Sequence, residues 1–202
     1  IKNNHHFTFM AGYEDYYYFL DTMSAAGDRF ELSEYPYLDR APSDYLSVAG
    51  NATENAYNSF FGRATYDFRG KYLLQLNARY DGSSRFYKDN RWGFFPSASF
   101  GWVATEEPFV KNLGLDKLNF LKFRASYGTL GNEKIGDYPY QAIMNLGSTL
   151  FHDGTKVVTG STAAQIAYNI MDITWETTKT WNVGVDATLF NDRLSFNGDL
   201  YR

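Results

Sequence analysis

Cysteine is absent from the 202 residues, histidine occurs three times and proline five times. Without a thiol, neither a disulfide scaffold nor a thiolate metal site can form. Long apolar runs are missing too. No stretch approaches the roughly 20 residues of a membrane-crossing helix, and the start Ile1-Lys2-Asn3-Asn4-His5 has no signal-peptide character. Positive charge is scarce, with 19 Lys and Arg against 23 Asp and Glu, a net charge of −4 and a pI near 5.4, so no nucleic-acid partner is expected. What abounds is aromatic rings, 17 Tyr, 17 Phe and 4 Trp, enough apolar surface to exclude disorder. A mean hydropathy of −0.43 leaves the bilayer open, because strands of a transmembrane barrel hide their apolar residues by alternation.

Alternation runs from end to end and predicts an all-β chain. From Lys71 to Asp81, Tyr72, Leu74, Leu76, Ala78 and Tyr80 share one face, while Leu73, Gln75, Asn77, Arg79 and Asp81 share the other. Phe60, Gly62, Ala64, Tyr66 and Phe68 repeat the pattern, as do Pro96, Ala98, Phe100, Trp102 and Ala104. So do Leu121, Phe123, Ala125, Tyr127 and Thr129, then Trp181, Val183, Val185, Ala187 and Leu189, and finally Leu194, Phe196, Gly198 and Leu200. A seventh strand is expected at the start, with His5, Phe7, Phe9, Ala11 and Tyr13 opposed to His6, Thr8, Met10, Gly12 and Glu14. Charges gather on the second face, as Arg63, Asp67, Arg79, Asp81, Lys122, Arg124, Asp186 and Asp199. A Lys or Arg facing lipid at mid-depth costs roughly 2–4 kcal/mol, so this segregation is what a barrel wall requires.

A soluble β-sandwich also buries one face of each strand. Connection lengths favour the barrel. Tight turns at Arg69-Gly70 and Asn191-Asp192 and the link from Thr105 to Leu118 fall at one end, and long connections over 21–56, 82–92 and 131–176 at the other. Outer-membrane barrels pair short periplasmic turns with long extracellular loops in this way. Thr105-Glu106-Glu107-Pro108 predicts a short helix stopped by Gly114, with the two carboxylates near its N-terminus. Phe68 and Tyr72 at one end, and Tyr80, Phe94 and Trp181 at the other, suit the two interfacial belts of a membrane protein. Seven strands are an odd number and leave two open edges, so residues 1–202 are expected to be part of one larger barrel domain.

Several strings are more specific than any pattern: Arg79-Tyr80-Asp81-Gly82-Ser83-Ser84-Arg85-Phe86, then Arg91-Trp92-Gly93-Phe94-Phe95-Pro96-Ser97-Ala98-Ser99-Phe100-Gly101-Trp102. Leu121-Lys122-Phe123-Arg124-Ala125-Ser126-Tyr127-Gly128-Thr129-Leu130-Gly131-Asn132 follows, with Gly136-Asp137-Tyr138-Pro139-Tyr140 behind it. The last is Ile173-Thr174-Trp175-Glu176-Thr177-Thr178-Lys179-Thr180-Trp181-Asn182-Val183-Gly184. In this order they resemble the barrel of the SusC/RagA branch of TonB-dependent outer-membrane transporters. The resemblance implies an antiparallel transmembrane β-barrel of about 22 strands with an N-terminal plug, in the outer membrane of a Gram-negative bacterium. It further implies energised import of an oligosaccharide or peptide, a SusD-like surface lipoprotein as lid, and coupling to the TonB complex through a plug that these residues do not include. Outer-membrane lipid would surround the wall.

No catalytic constellation, cofactor site or metal site is expected, and the chain does not read as an enzyme. His5 and His6, adjacent in a strand, point to opposite faces and cannot share an ion. Asn51-Ala52-Thr53 matches a glycosylation acceptor, which a bacterial family does not use. Asp81-Gly82-Ser83-Ser84 has turn residues, and Trp175 and Trp181 are expected at the membrane interface. Arg63, Asp67, Arg79, Lys122, Arg124 and Asp186 are expected to face the lumen and to pair with one another or with the plug. For substrate contact the candidates are loop aromatics, Tyr16, Tyr18, Tyr35, Tyr37 and Tyr45, in a segment that also holds Tyr17 and Phe19, because such rings stack on sugars while their hydroxyls hydrogen-bond. The alternative from another class is a soluble all-β carbohydrate-binding or adhesion module, in which the face of Leu74 and Leu76 would meet a second sheet.

Overall fold

The computed structural model describes residues 4–32, 34–114, 117–165 and 168–202. Strands β1 (His5–Gly27), β2 (Leu46–Phe68), β3 (Tyr72–Ser83) and β4 (Trp92–Val103) lead to the one-turn helix α1 (Pro108–Lys111). They are followed by β5 (Leu118–Asn132), β6 (Met144–Asp153), β7 (Lys156–Gln165), β8 (Glu176–Leu189) and β9 (Leu194–Tyr201). One seven-stranded antiparallel sheet has the order β1-β2-β3-β4-β5-β8-β9, and β6-β7 is a separate two-stranded hairpin.

The register carries the alternation from strand to strand. Phe68, Tyr72, Trp102 and Phe123 are successive cross-strand partners, and so are Tyr13, Phe60, Tyr80 and Phe94. Between these two aromatic rows lie partners such as Ala64, Leu76, Ala98, Tyr127 and Trp181. The rows are eight residues apart on β3, roughly 27 Å along the strand, or about 20 Å across the membrane at a 40° tilt. That is close to the height of a lipid-facing band. Ionisable carboxylates and Lys return to this face above the upper row, as Asp15, Glu54 and Lys179. Rings stack along and beside the rows, Trp102 on Phe123 at 5.7 Å and Tyr80 on Trp92, one step beyond the upper row, at 4.8 Å.

Turns at the short end use left-handed backbone. Arg69 and Gly70 take φ of 55° and 67°, the paired positive angles of a two-residue hairpin turn, and the Asp67 carboxylate accepts from the Gly70 amide at 2.6 Å. The second turn runs Phe190, Asn191 and Asp192 through positive φ in succession. Pro96 sits in a central strand without loss of a ladder bond. Its nitrogen faces β5 one residue beyond Ser97, where the β4-β5 pairing ends, so no donor is needed there.

Three expected connections are more regular than the sequence suggested. Most of 21–56 is strand: β1 and β2 pair without interruption from His5↔Phe68 to Gly27↔Leu46. The segment 82–92 begins and ends inside β3 and β4, and 131–176 contains the β6-β7 hairpin. Aromatics on both faces of Tyr16 to Phe19 hide the strand period, although the ladder continues through them. Residues 33, 115–116 and 166–167 of the expected connections, and Ile1-Lys2-Asn3 of the start, lie outside the described residues.

Glu106 and Glu107 do not cap a helix. Glu107 has no capping hydrogen bond and lies buried against the sheet, accepting from the Tyr72 hydroxyl at 2.6 Å, the Lys71 ammonium at 3.3 Å and the Trp102 indole at 3.4 Å. Glu106 instead pairs with Lys111 at 2.8 Å. Three donors outcompete one frayed helical turn for the carboxylate.

Candidate functional site

Residues that alternate with the uncharged face form the opposite face of the sheet, where the polar chemistry collects. Arg124 is held by Asp186 through two hydrogen bonds, Nε to Oδ2 at 2.8 Å and Nη2 to Oδ1 at 3.0 Å, and reaches Asp199 at 3.2 Å. The two-pronged geometry suits a guanidinium. Arg79 donates to Ser59 at 2.8 Å, to Tyr57 at 3.3 Å and to Asp81 and Glu14 at 3.4 Å, while Ser59 donates to Asp81. Arg63 donates to Asn77 at 2.8 Å. Among the described residues Lys122 forms no ion pair, because Asp186 across the ladder is taken by Arg124. Lys122 and Arg124, with His6, Asp67 and Gln75, line a groove of about 550 Å³ on this face.

His5 and His6 point apart. His5 meets the Tyr66 hydroxyl at 2.9 Å, and His6 lines the groove on the other face. Among the described residues no group of three or more His, Asp or Glu is placed to hold a metal ion. Apart from Lys122, the arrangement is of paired charges and hydrogen-bonded amides, suited to non-covalent docking of a polar surface.

At the loop end lies an apolar anchor that sequence reasoning missed. Phe86, Phe95 and Trp175 are buried together, with Tyr57, Ile135 and Ile173 packed against them. Trp175 is therefore not an interface residue. Its indole donates to the Arg91 carbonyl at 3.0 Å, and its ring lies 5.1 Å from Phe86 and 5.2 Å from Phe95. Trp181 does stand on the uncharged face, across from Tyr127. The available signal was glycine: Gly93 and Gly131 leave the space Phe95 fills, since a Cβ at either position would collide with its ring. Asp81, Ser83 and Ser59 are buried, Ser83 across the ladder from Tyr57 and Asp81 from Gly93, so the Asp-Gly-Ser-Ser string is architectural.

The anchor fixes the loops. Arg85 pairs with Asp137 at 3.0 Å, the Tyr140 hydroxyl donates to the Ser84 carbonyl at 3.3 Å, and the Ile170 amide donates to the Pro139 carbonyl at 3.0 Å. The five candidate tyrosines are not brought together. Tyr16 and Tyr18 lie on the polar side of β1, on the same side as Glu14, and both are exposed. Tyr35, Tyr37 and Tyr45 sit in the hairpin cap, which begins about 30 Å farther along β1 from Tyr18. Tyr45 is engaged by Arg29, whose guanidinium lies 4.3 Å from the ring centre and donates to the hydroxyl at 2.7 Å. Tyr17, on the opposite side of β1, donates to Glu54 at 2.9 Å, and this hydrogen bond raises the phenol above its usual pKa.

Comparison with known proteins gives consistent answers. The family model described as TonB dependent receptor-like, beta-barrel matches residues 2–202. TonB-dependent receptor P39 of Formosa agariphila is 41% identical over 157 residues, covering 77% of this chain and 14% of that protein. TonB-dependent receptor SusC of Bacteroides thetaiotaomicron is 38% identical over 151 residues, covering 74% of this chain and 15% of that protein. The solved structure of the RagAB peptide transporter superposes on the whole chain with a TM-score of 0.85 at 30% identity, over 22% of its own length. The chain thus spans about one seventh of the curated relatives it matches.

Proposed function

Because the chain belongs to the TonB-dependent receptor-like β-barrel family, we propose that it forms wall and loops of an outer-membrane importer driven through TonB. The family is one of receptors and transporters, so no covalent chemistry is assigned to these residues. The observation that carries the reading is the uncharged band, aligned across seven strands and flanked by one aromatic row over β1–β4 and another over β2–β5. Lipid asks for such a band on a sheet whose other face holds Arg79, Arg124 and Asp186.

In this reading the charged face lines the lumen, where the groove with Lys122 receives a plug domain supplied elsewhere in the full protein. Short turns face the periplasm, and the β1-β2 hairpin with the loops anchored by Trp175 faces outward. Import of a nutrient too large for porins, an oligosaccharide or a peptide, follows from the likeness to SusC and to the RagAB peptide transporter. A SusD-like surface lipoprotein is the expected partner. It would cover the hairpin above Tyr16, which as a two-stranded ribbon is only marginally stable alone in water.

The test uses native cells. Membranes are washed with alkaline carbonate and probed with an antibody against residues 81–92. The expected result is a carbonate-resistant outer-membrane band much heavier than 23.2 kDa that co-purifies with a surface lipoprotein. A carbonate-soluble band would overturn the reading and restore the soluble carbohydrate-binding module as its replacement.

A further inference from the structure

Strand β2 outruns its neighbour. Its ladder to β3 ends at Tyr57↔Ser83, whereas its ladder to β1 continues to Leu46. Residues 46–55 therefore present an edge that no strand covers among the described residues. The direction of its backbone groups follows from two bonds. The Ala56 carbonyl accepts from the Ser84 amide on the β3 side, and the Asn51 carbonyl accepts from Thr22 on the β1 side. Groups alternate along a strand, so Ala52 and Glu54 turn both N–H and C=O toward the open edge, about 7 Å apart.

A cavity of about 760 Å³ lies along that edge, within the range of sites that hold small ligands. Ala52, Glu54 and Phe19 line one side, and Asp137, Tyr138 and Gln141 the other. The far wall is fixed in place, because Asp137 is tied to Arg85 and Tyr140 to Ser84. Its charge is one-sided. Among the described residues Glu54 has no cationic partner, and neither has Asp21, which pairs with Ala52 across the ladder.

We propose that this cavity binds an extended peptide carrying a cationic group, which adds to the β2 edge as a further strand. The peptide's amides and carbonyls complete the bonds of Ala52 and Glu54, and its Lys, Arg or amino terminus meets the Glu54 carboxylate. An oligosaccharide has no such alternating donors and acceptors at strand spacing, so the edge selects peptide. The inference rests on the importer reading and narrows its ligand.

The test uses the full-length protein with its surface lipoprotein, purified in detergent. The probes are a fluorescein-labelled Val/Thr peptide with two Lys and two versions N-methylated at alternate amides, one set each. The expected result is that one methylated set binds about tenfold more weakly while the other binds as the parent does, since only one set faces the edge. Ala52→Pro removes an edge donor without touching the β1 ladder, and an about tenfold loss is expected there too. Glu54→Gln should abolish the preference for the Lys peptide over its norleucine analogue. Where Ala52→Pro fails to assemble, the methylated pair on the unaltered protein decides. Equal binding of both methylated sets, or no peptide binding, overturns the inference. So does loss of the lipoprotein, rather than of the peptide, in Ala52→Pro, which would give the edge to the partner. Nutrient uptake by the same cells, with and without a protonophore, separates the two levels. Energised uptake of an oligosaccharide without peptide binding sinks this inference alone, and no energised uptake of either sinks the importer reading.

Discussion

At the short-turn end of the sheet a single carboxylate does the anchoring: Glu107 folds back to accept from Tyr72, Lys71 and Trp102. At the long-loop end the same task falls to rings, Phe86, Phe95 and Trp175, which bury themselves in the space left by Gly93 and Gly131. Connection length explains the difference. A two-residue turn such as Arg69-Gly70 needs little beyond its own backbone bonds, so one polar clamp finishes that end. The loops flanking β6-β7 lose far more conformational freedom on ordering, and only buried apolar surface offsets that cost. The polar clamp must respond to pH and the apolar one must not.

The largest expected effect comes from removing the apolar anchor. Trp175→Ala should destabilise the loop end by about 3–5 kcal/mol, seen as rapid proteolysis within 133–175 in the full-length protein while the short-turn end keeps its protection. Between the two ends, Leu76→Arg should cost roughly 2–4 kcal/mol in refolding into lipid vesicles, and Gln75→Arg, one residue away on the other face, less than about 1 kcal/mol.

Acid should loosen the polar clamp at the short-turn end while the ring cluster of Phe86, Phe95 and Trp175 stays packed. The hydrogen bond from Tyr72, then those from Lys71 and Trp102, hold the Glu107 carboxyl below its usual range. A lowered folded value means that its stabilisation is present above the ordinary carboxylate pKa and is lost as pH falls through the lowered one. Hydrogen exchange should therefore show residues 104–114 opening at acid pH while the Trp175 loops stay protected, and Glu107→Gln should remove the pH dependence. Small too is Gly70→Ala, which places a Cβ at φ +67° and should cost about 1 kcal/mol in the same refolding assay. Equal acid sensitivity at both ends would break the comparison.

Much of the sheet was legible because its two faces carry opposite chemistry on successive residues. Leu74, Leu76 and Ala78 against Gln75, Asn77 and Arg79 leave one way to place β3. Legibility failed where a face was neither purely lipid nor purely polar. Phe95 stands on the polar side, and Tyr16 to Phe19 are aromatic on both sides, so neither the anchor nor the length of the β1-β2 hairpin had a period to read. Glu107 was misread because its partners, Lys71, Tyr72 and Trp102, are distant or indifferent in sequence and meet only when the sheet forms. The edge cavity along β2 depends on where β3 stops, which alternation does not mark.

The central claim is that the uncharged face meets lipid. A photo-crosslinking residue placed at Leu76, and separately at Gln75, in the full-length protein in native outer membranes tests it most directly. The account predicts that the probe at Leu76 captures phospholipid and the probe at Gln75 captures protein. Capture of protein and no lipid at Leu76 would contradict it.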